Sequence, residues 1–187
     1  MEEVFEQGKT FDKLNALMKG EYEHCTFVSC ELSNQNLSGF AFADCTFDNC
    51  NISLAKLRMT AFRNVQFAGC KMLGLQFGDC NAFGLSFGFD NCVLDHSSFY
   101  KLKLKKVIFK SCRLWEADLT ECDLTGSVFE QCDMARATFD STILEGADLN
   151  SAFNYSIDPE NNRIKKAKFS LTGISGLLDK YNIEIEH

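Results

Sequence analysis

From Tyr22 onward, an apolar residue returns at every fifth position, a period that neither a helix nor a flat strand possesses. The series runs Phe27, Leu32, Leu37, Phe42, Phe47, Ile52, Leu57, Phe62, Phe67, Met72, Phe77, Ala82 and Phe87. A two-residue insertion shifts the phase. It resumes at Leu94 and continues through Phe99, Leu104, Phe109, Leu114, Leu119, Leu124, Phe129, Met134, Phe139, Leu144 and Leu149. The residue two before each of these is also restricted, and all 10 cysteines fall there: Cys25, Cys30, Cys45, Cys50, Cys70, Cys80, Cys92, Cys112, Cys122 and Cys132. Ala55, Ala117, Ala137 and Ala147 occupy the same position, so it is narrow. A fixed short period of this kind is the mark of a repeat architecture.

Segments such as Ala117-Asp118-Leu119-Thr120-Glu121 and Cys122-Asp123-Leu124-Thr125-Gly126 resemble the consensus of the pentapeptide-repeat family. That consensus is a small residue, Asp or Asn, then Leu or Phe and two variable positions, and the resemblance covers about Tyr22 to Asn154. It implies an all-β fold, a right-handed quadrilateral β-helix (a pentapeptide-repeat solenoid) with one repeat per side and four repeats per coil. Every fourth central residue then shares a face. One face reads Phe27, Phe47, Phe67, Phe87, Phe109, Phe129 and Leu149, and this Phe column supports the four-repeat closure from the residues themselves. Keeping Phe87 in the column places the insertion as a bulge at Gly88-Phe89. The same spacing aligns Cys30, Cys50, Cys70, Cys92, Cys112 and Cys132.

At 187 residues the chain suits one domain. We divide it into an N-terminal cap (1–21), the repeat β-helix (22–169) and a C-terminal helix and strand (170–187). No apolar run approaches the roughly 20 residues that span a bilayer. Met1-Glu2-Glu3-Val4 lacks the charged-then-apolar order of a signal peptide, so the expected compartment is the cytoplasm. Cysteines there are expected as thiols.

The first residues lack the period, although Phe5, Phe11, Leu14 and Leu17 are placed to cover the first coil. At the other end, Ser156-Ile157-Asp158-Pro159-Glu160-Asn161-Asn162-Arg163 reads as a turn carrying the single proline. Ile164 and Phe169 return to the repeat phase. Ser170 is placed to cap a short helix bearing Leu171, Ile174, Leu177 and Leu178, and Ile183-Glu184-Ile185-Glu186 alternates like an edge strand. Two readings of this segment stand: an end cap within one chain, or a dimer interface. The second is what the resemblance to Qnr-type quinolone-resistance proteins implies.

A catalytic site requires titratable groups gathered in a pocket. The 3 histidines, His24, His96 and His187, have no partner at useful spacing. The cysteine spacing follows the repeat and not the close pairs of a zinc site, so packing is the favoured reading over a metal or a disulfide. Gly74, Gly78, Gly84 and Gly88 are read as corner residues and not as a phosphate loop. The expectation is a non-enzyme with no catalytic residue, no metal and no cofactor.

Charge is the remaining clue in a chain of net charge -7. Acids crowd between Arg113 and Asn150, just after Lys101, Lys103, Lys105, Lys106 and Lys110. By the coil assignment Glu116, Asp118, Glu121, Asp123 and Asp140 flank one side and its two corners. They are either an ordinary solvated surface or an array that imitates DNA, which carries one negative charge per roughly 1.7 Å of axis. For the second, the resemblance implies a partner: Qnr-like proteins bind DNA gyrase and topoisomerase IV and modulate quinolone sensitivity. Their projecting loops have no counterpart in this repeat pattern. The alternative is a scaffold or interaction module with an unrelated protein partner. Direct nucleic-acid or membrane binding is not expected, and a homodimer through the C-terminal segment is.

Overall fold

An inward residue at every fifth position requires the chain to turn a corner after each one. In the computed structural model, which describes residues 3–186, those corners fall two residues after each central position and carry positive φ: His24 (51°), Ser29 (51°), Asn34 (58°), Asp44 (52°) and Asn49 (53°) open the series. Short polar residues tolerate this left-handed conformation best. The result is an all-β parallel solenoid of about 8 turns with four faces.

The faces are not equivalent. Face 1 carries Tyr22, Phe42 and Phe62 and pairs four strands in parallel: Val4–Gln7, Gly20–Glu23, Ala41–Ala43 and Ala61–Arg63. Face 2 is a 9-stranded parallel sheet running from Thr10–Asp12 to Lys168–Phe169. Face 3 (Leu32, Ile52, Met72, Leu94, Leu114, Met134) and face 4 (Leu37, Leu57, Phe77, Phe99, Leu119, Phe139) are joined by isolated parallel bridges, such as Arg113 to Asp133 and Asp118 to Thr138. At about 4.8 Å per step the sheet of face 2 is on the order of 40 Å long.

The column on face 2 runs Phe11, Phe27, Phe47, Phe67, Phe89, Phe109 and Phe129, with successive ring centroids 5.2, 4.5, 5.1, 5.5, 5.1 and 5.0 Å apart. This corrects the sequence reading in one place. Phe89, not Phe87, continues the column, because Phe67 pairs with Phe89 and Val65 with Phe87. The insertion lies earlier, in a corner loop where Ala82, Phe83 and Gly84 are exposed, rather than at Gly88-Phe89. The reason is packing. With Ala82 outside, face 1 contributes no central side chain to this coil. The Phe87 ring, placed at the narrow position, supplies bulk there and packs 5.3 Å from Phe77 and 5.1 Å from Phe89.

Residues 4–19 wind as a shortened coil: Phe11 pairs with Phe27 and Val4 with Gly20. Phe11, Leu14 and Leu17 pack on the core, whereas Phe5 points outward and is 59% exposed. The C-terminal helix expected from Leu171, Ile174, Leu177 and Leu178 is instead two short 3-10 turns, Ile174–Leu177 and Asp179–Tyr181. Gly173 and Gly176 lie so close to Tyr155 that a Cβ at either would collide with it. Contact with the rod therefore overrides the helical period. Gly173, not Ser170, is the N-cap of the first turn and no side chain caps it; the Ser170 Oγ accepts from the Gly173 N–H at 3.0 Å in the bend before it. Residues 183–186 form no strand, and His187 lies outside the described residues.

All ten cysteines are buried free thiols. Five of the six aligned ones donate to a carbonyl of the neighbouring coil, as Cys50 does to Phe27 at 3.3 Å and Cys70 to Phe47 at 3.4 Å, while Cys112 donates to Lys110 in its own coil. Burial pushes the Cys45 thiol up to about 11 and those of Cys80 and Cys122 up to about 12. A thiol this reluctant to ionise is a packing group and not a nucleophile. Gly74 and Gly84 hold left-handed corners, at φ 65° and 70°, but Gly78 and Gly88 do not.

Candidate protein-binding surface

The repeat aims two residues of each pentapeptide outward, one on either side of the central one, so face 4 presents a ladder of paired surface positions. From the N-terminal side its rows are Asn36 and Ser38, Lys56 and Arg58, Gln76 and Gly78, Ser98 and Tyr100, Asp118 and Thr120, and Thr138 and Asp140. The corner toward face 3 carries Leu54, His96, Glu116 and Arg136. The corner toward face 1 carries Met59, Asp79, Lys101 and Glu121.

Four of the five acids singled out by sequence lie on the one side and its corners where the coil assignment put them, and the fifth, Asp123, does not. Asp118 and Asp140 are on face 4, Glu116 and Glu121 are on its two corners, and Asp123 is just around the corner on face 1. They are not a bare row of charge. Glu116 accepts from Arg136 Nε at 3.0 Å and lies 3.3 Å from His96 Nδ1. Glu121 is 3.4 Å from Lys101 Nζ and accepts from the Tyr100 hydroxyl at 3.2 Å. Asp123 is 3.2 Å from Lys105 Nζ. Hydrogen bonds from Thr125 and the Lys105 ammonium hold its carboxyl below the usual range against the opposing effect of burial, the largest single influence on it. Asp118 accepts from Ser98 Oγ and the Thr120 N–H, both at 3.0 Å. Asp140 accepts from Asn161 at 2.7 Å. The lysines of the preceding coil thus neutralise part of the acidic band.

Sequence reasoning missed three features. One is an aromatic and cationic cluster: the Trp115 indole lies 4.8 Å from His96 and 5.6 Å from the Arg136 guanidinium, and Tyr100 stands 42% exposed on the face itself. The second is a pair of cations in the lower half, Lys56 and Arg58, which have no acid within ion-pair distance among the described residues. The first feature joins residues of neighbouring coils, His96 and Arg136 lying 19 and 21 positions from Trp115 in sequence. The third is Asp95, 4% exposed, whose two oxygens accept from Arg113 Nε at 3.0 Å and a terminal nitrogen at 2.5 Å.

The residues proposed for a dimer interface divide. Leu171 (87% exposed) and Ile174 (48%) face outward with Ile185 along a shallow groove of about 450 Å³. Leu177 packs on the core and Leu178 is half-buried. The segment is tied down by Lys180, 2.7 Å from Asp158 and 2.6 Å from Glu160, and by the Tyr181 hydroxyl, 3.0 Å from Glu160. Among the described residues no group of three or more His, Cys, Asp or Glu is gathered as metal ligands. No helix among the described residues is long and apolar enough to cross a membrane.

A parallel solenoid with a narrow inward position and a varied outer face defines the class. The model of the pentapeptide repeat region matches residues 21–88 and 86–155, and the chain belongs to the pentapeptide-repeat family. Among solved structures it is similar to trypsin-treated QnrB1, a plasmid-mediated fluoroquinolone resistance protein, with 18% identity over 100% of both chains and a TM-score of 0.64. Full-length QnrB1 matches with 18% identity over 96% of this chain and 100% of that one, at a TM-score of 0.56. At this identity the likeness shows the fold. No curated protein matches the sequence.

Proposed function

We propose that this chain is a non-enzymatic, cytoplasmic protein-binding rod whose contact surface is face 4 with its two corners. The observation that carries this is the exposed Tyr100 on face 4, with Arg136 on one of its corners packed against Trp115 of the adjoining face 3, among residues of both charge signs. Tyr, Trp and Arg dominate the energetics of protein interfaces because they bury large area while keeping a polar handle. A type II topoisomerase, DNA gyrase or topoisomerase IV, is the partner to test first. The whole-length likeness to QnrB1 and the acids Asp118, Glu121 and Asp140 support that choice. Their ion pairs make the surface mixed in charge, so recognition by paired charges and aromatics carries the reading more than imitation of DNA does. Modulation of quinolone sensitivity follows only if that partner binds.

The test is direct binding to purified gyrase across a salt series, together with a supercoiling assay with and without quinolone. Salt-sensitive binding that disappears when Asp118, Glu121 and Asp140 are reversed to Lys is the expected result. No binding at low salt removes the topoisomerase and leaves the scaffold with another protein partner. The outward pair Leu171 and Ile174 is proposed as the centre of an end-to-end homodimer contact, while Leu177 and Leu178 belong to the cap.

A further inference from the structure

Face 4 is polarised along the rod. Its N-terminal half carries Lys56 and Arg58, which have no acid within ion-pair distance among the described residues, its C-terminal half carries Asp118, Glu121 and Asp140 with Arg136 paired to Glu116 at a corner, and its middle holds two unlike rows side by side. In the first of these Gly78 leaves an exposed gap; in the next Tyr100 projects a ring. The two rows are adjacent, since Gln76 bridges Ser98 and the Phe77 and Phe99 rings stack at 4.7 Å.

That order is self-complementary under one operation. Place a second copy face to face and antiparallel, with a two-fold axis between the Gly78 and Tyr100 rows and along the strand direction. Each corner then meets its own counterpart, and each row meets the row equally far from the axis. Tyr100 of one copy lies over Gly78 of the other. Lys56 meets Asp118, Arg58 meets the row ending in Glu121, and Ser38 meets Asp140. At the corner toward face 1, Asp79, which has no cation within ion-pair distance among the described residues, meets Lys101. A two-fold contact requires a patch in which residue i meets j and j meets i, so every pair occurs twice.

We infer that face 4 is a self-association surface, on which a second copy of this chain packs antiparallel through the Tyr100–Gly78 contact and the Lys56–Asp118 and Asp79–Lys101 pairs. Charge complementarity selects this occupant, because a single acidic or basic partner would match only half of the face. Six rows at about 4.8 Å make a patch of roughly 400 Å² per copy, against about 800 Å² for a standard interface. The dimer is accordingly weak, concentration-dependent and salt-sensitive. It competes with any other protein for face 4, yet it does not depend on the function proposed above, since it needs only this chain.

Sedimentation velocity of the full chain over a concentration series, at low and high salt, tests it. Self-association is expected at low salt and is expected to weaken in high salt. Lys56→Glu and Asp118→Lys each break both symmetry-related pairs and raise the dissociation constant about tenfold or more, while the double variant restores it to within about threefold. In an Ile174→Asp background, which removes the end-to-end contact proposed above, Gly78→Arg fills the gap and abolishes the remaining self-association. A Cβ there meets only the Tyr100 carbonyl oxygen at 3.4 Å, so the coil tolerates it. A monomer at every concentration, or a dimer indifferent to Lys56→Glu and Gly78→Arg but lost on Ile174→Asp, overturns the inference.

Discussion

Faces 2 and 4 are built from the same five-residue period, yet they do opposite work. Face 2 pairs strands in every coil and stacks a nearly unbroken phenylalanine column beneath them. Face 4 is held by isolated bridges and mixes Leu and Phe inside, and one of its rows tightens into a 3-10 turn at Phe77–Asp79. Its outer surface bears the exposed Tyr100 and both signs of charge. A solenoid needs only enough inward residues to close each coil. Once one face supplies continuous pairing and aromatic bulk, another is free to vary outside, and recognition can be written there at little cost in stability.

That division is open to direct attack. The largest effect is expected in the column: Phe67→Ala opens a cavity between two stacked rings and costs about 3–5 kcal/mol in denaturant unfolding. A loss below about 1 kcal/mol would contradict the stacked interior. Alkali should strike the same interior through its thiols. The thiols of Cys45, Cys80 and Cys122 have pKa values raised on folding, so the stability they contribute is complete below the ordinary value near 9.0 and is lost as pH rises through about 11 to 12. Melting temperature should therefore fall above about pH 9, and replacing Cys45, Cys80 and Cys122 together by Ala should flatten that fall.

A smaller loss is expected where a charge is buried at the edge of the outer surface. Arg113→Met leaves the Asp95 carboxylate without its partner and costs about 1–3 kcal/mol, which Asp95→Asn in the same chain should partly relieve. The smallest effect belongs to face 4 itself. Lys101→Met removes an exposed ion pair with Glu121 and should leave the denaturant midpoint essentially unchanged. If it destabilised as much as Phe67→Ala, the two faces would not be divided as described.

Much of this architecture was legible in the residues. The inward positions, the alignment of the aligned cysteines and the grouping of Glu116, Asp118, Glu121 and Asp140 around one side all follow from counting by five and by twenty. What counting could not supply was the place of the insertion. Phe87 and Phe89 each continue the aromatic column in one phase or the other, and only the stacking of Phe89 between Phe67 and Phe109 decides between them. The C-terminal segment is a second case. Its helical period is real, but the rod draws Gly173 and Gly176 against Tyr155 and shortens the turns. Phe5 is a third, an apolar residue that strand alternation turns to solvent in the first coil.

The candidate surface divides in the same way. Sequence alone determined that Glu116, Asp118, Glu121 and Asp140 share one side, because the period sets direction and the coil length sets the row. Only the tertiary structure decided what those charges are worth. Lys101 and Arg136 reach their acids across coils, twenty residues away along the chain, and ion pairing depends on a few ångströms between side chains that no period encodes. The same holds for Gly78 beside Tyr100. A gap next to a ring becomes a feature of the surface only when two coils are stacked.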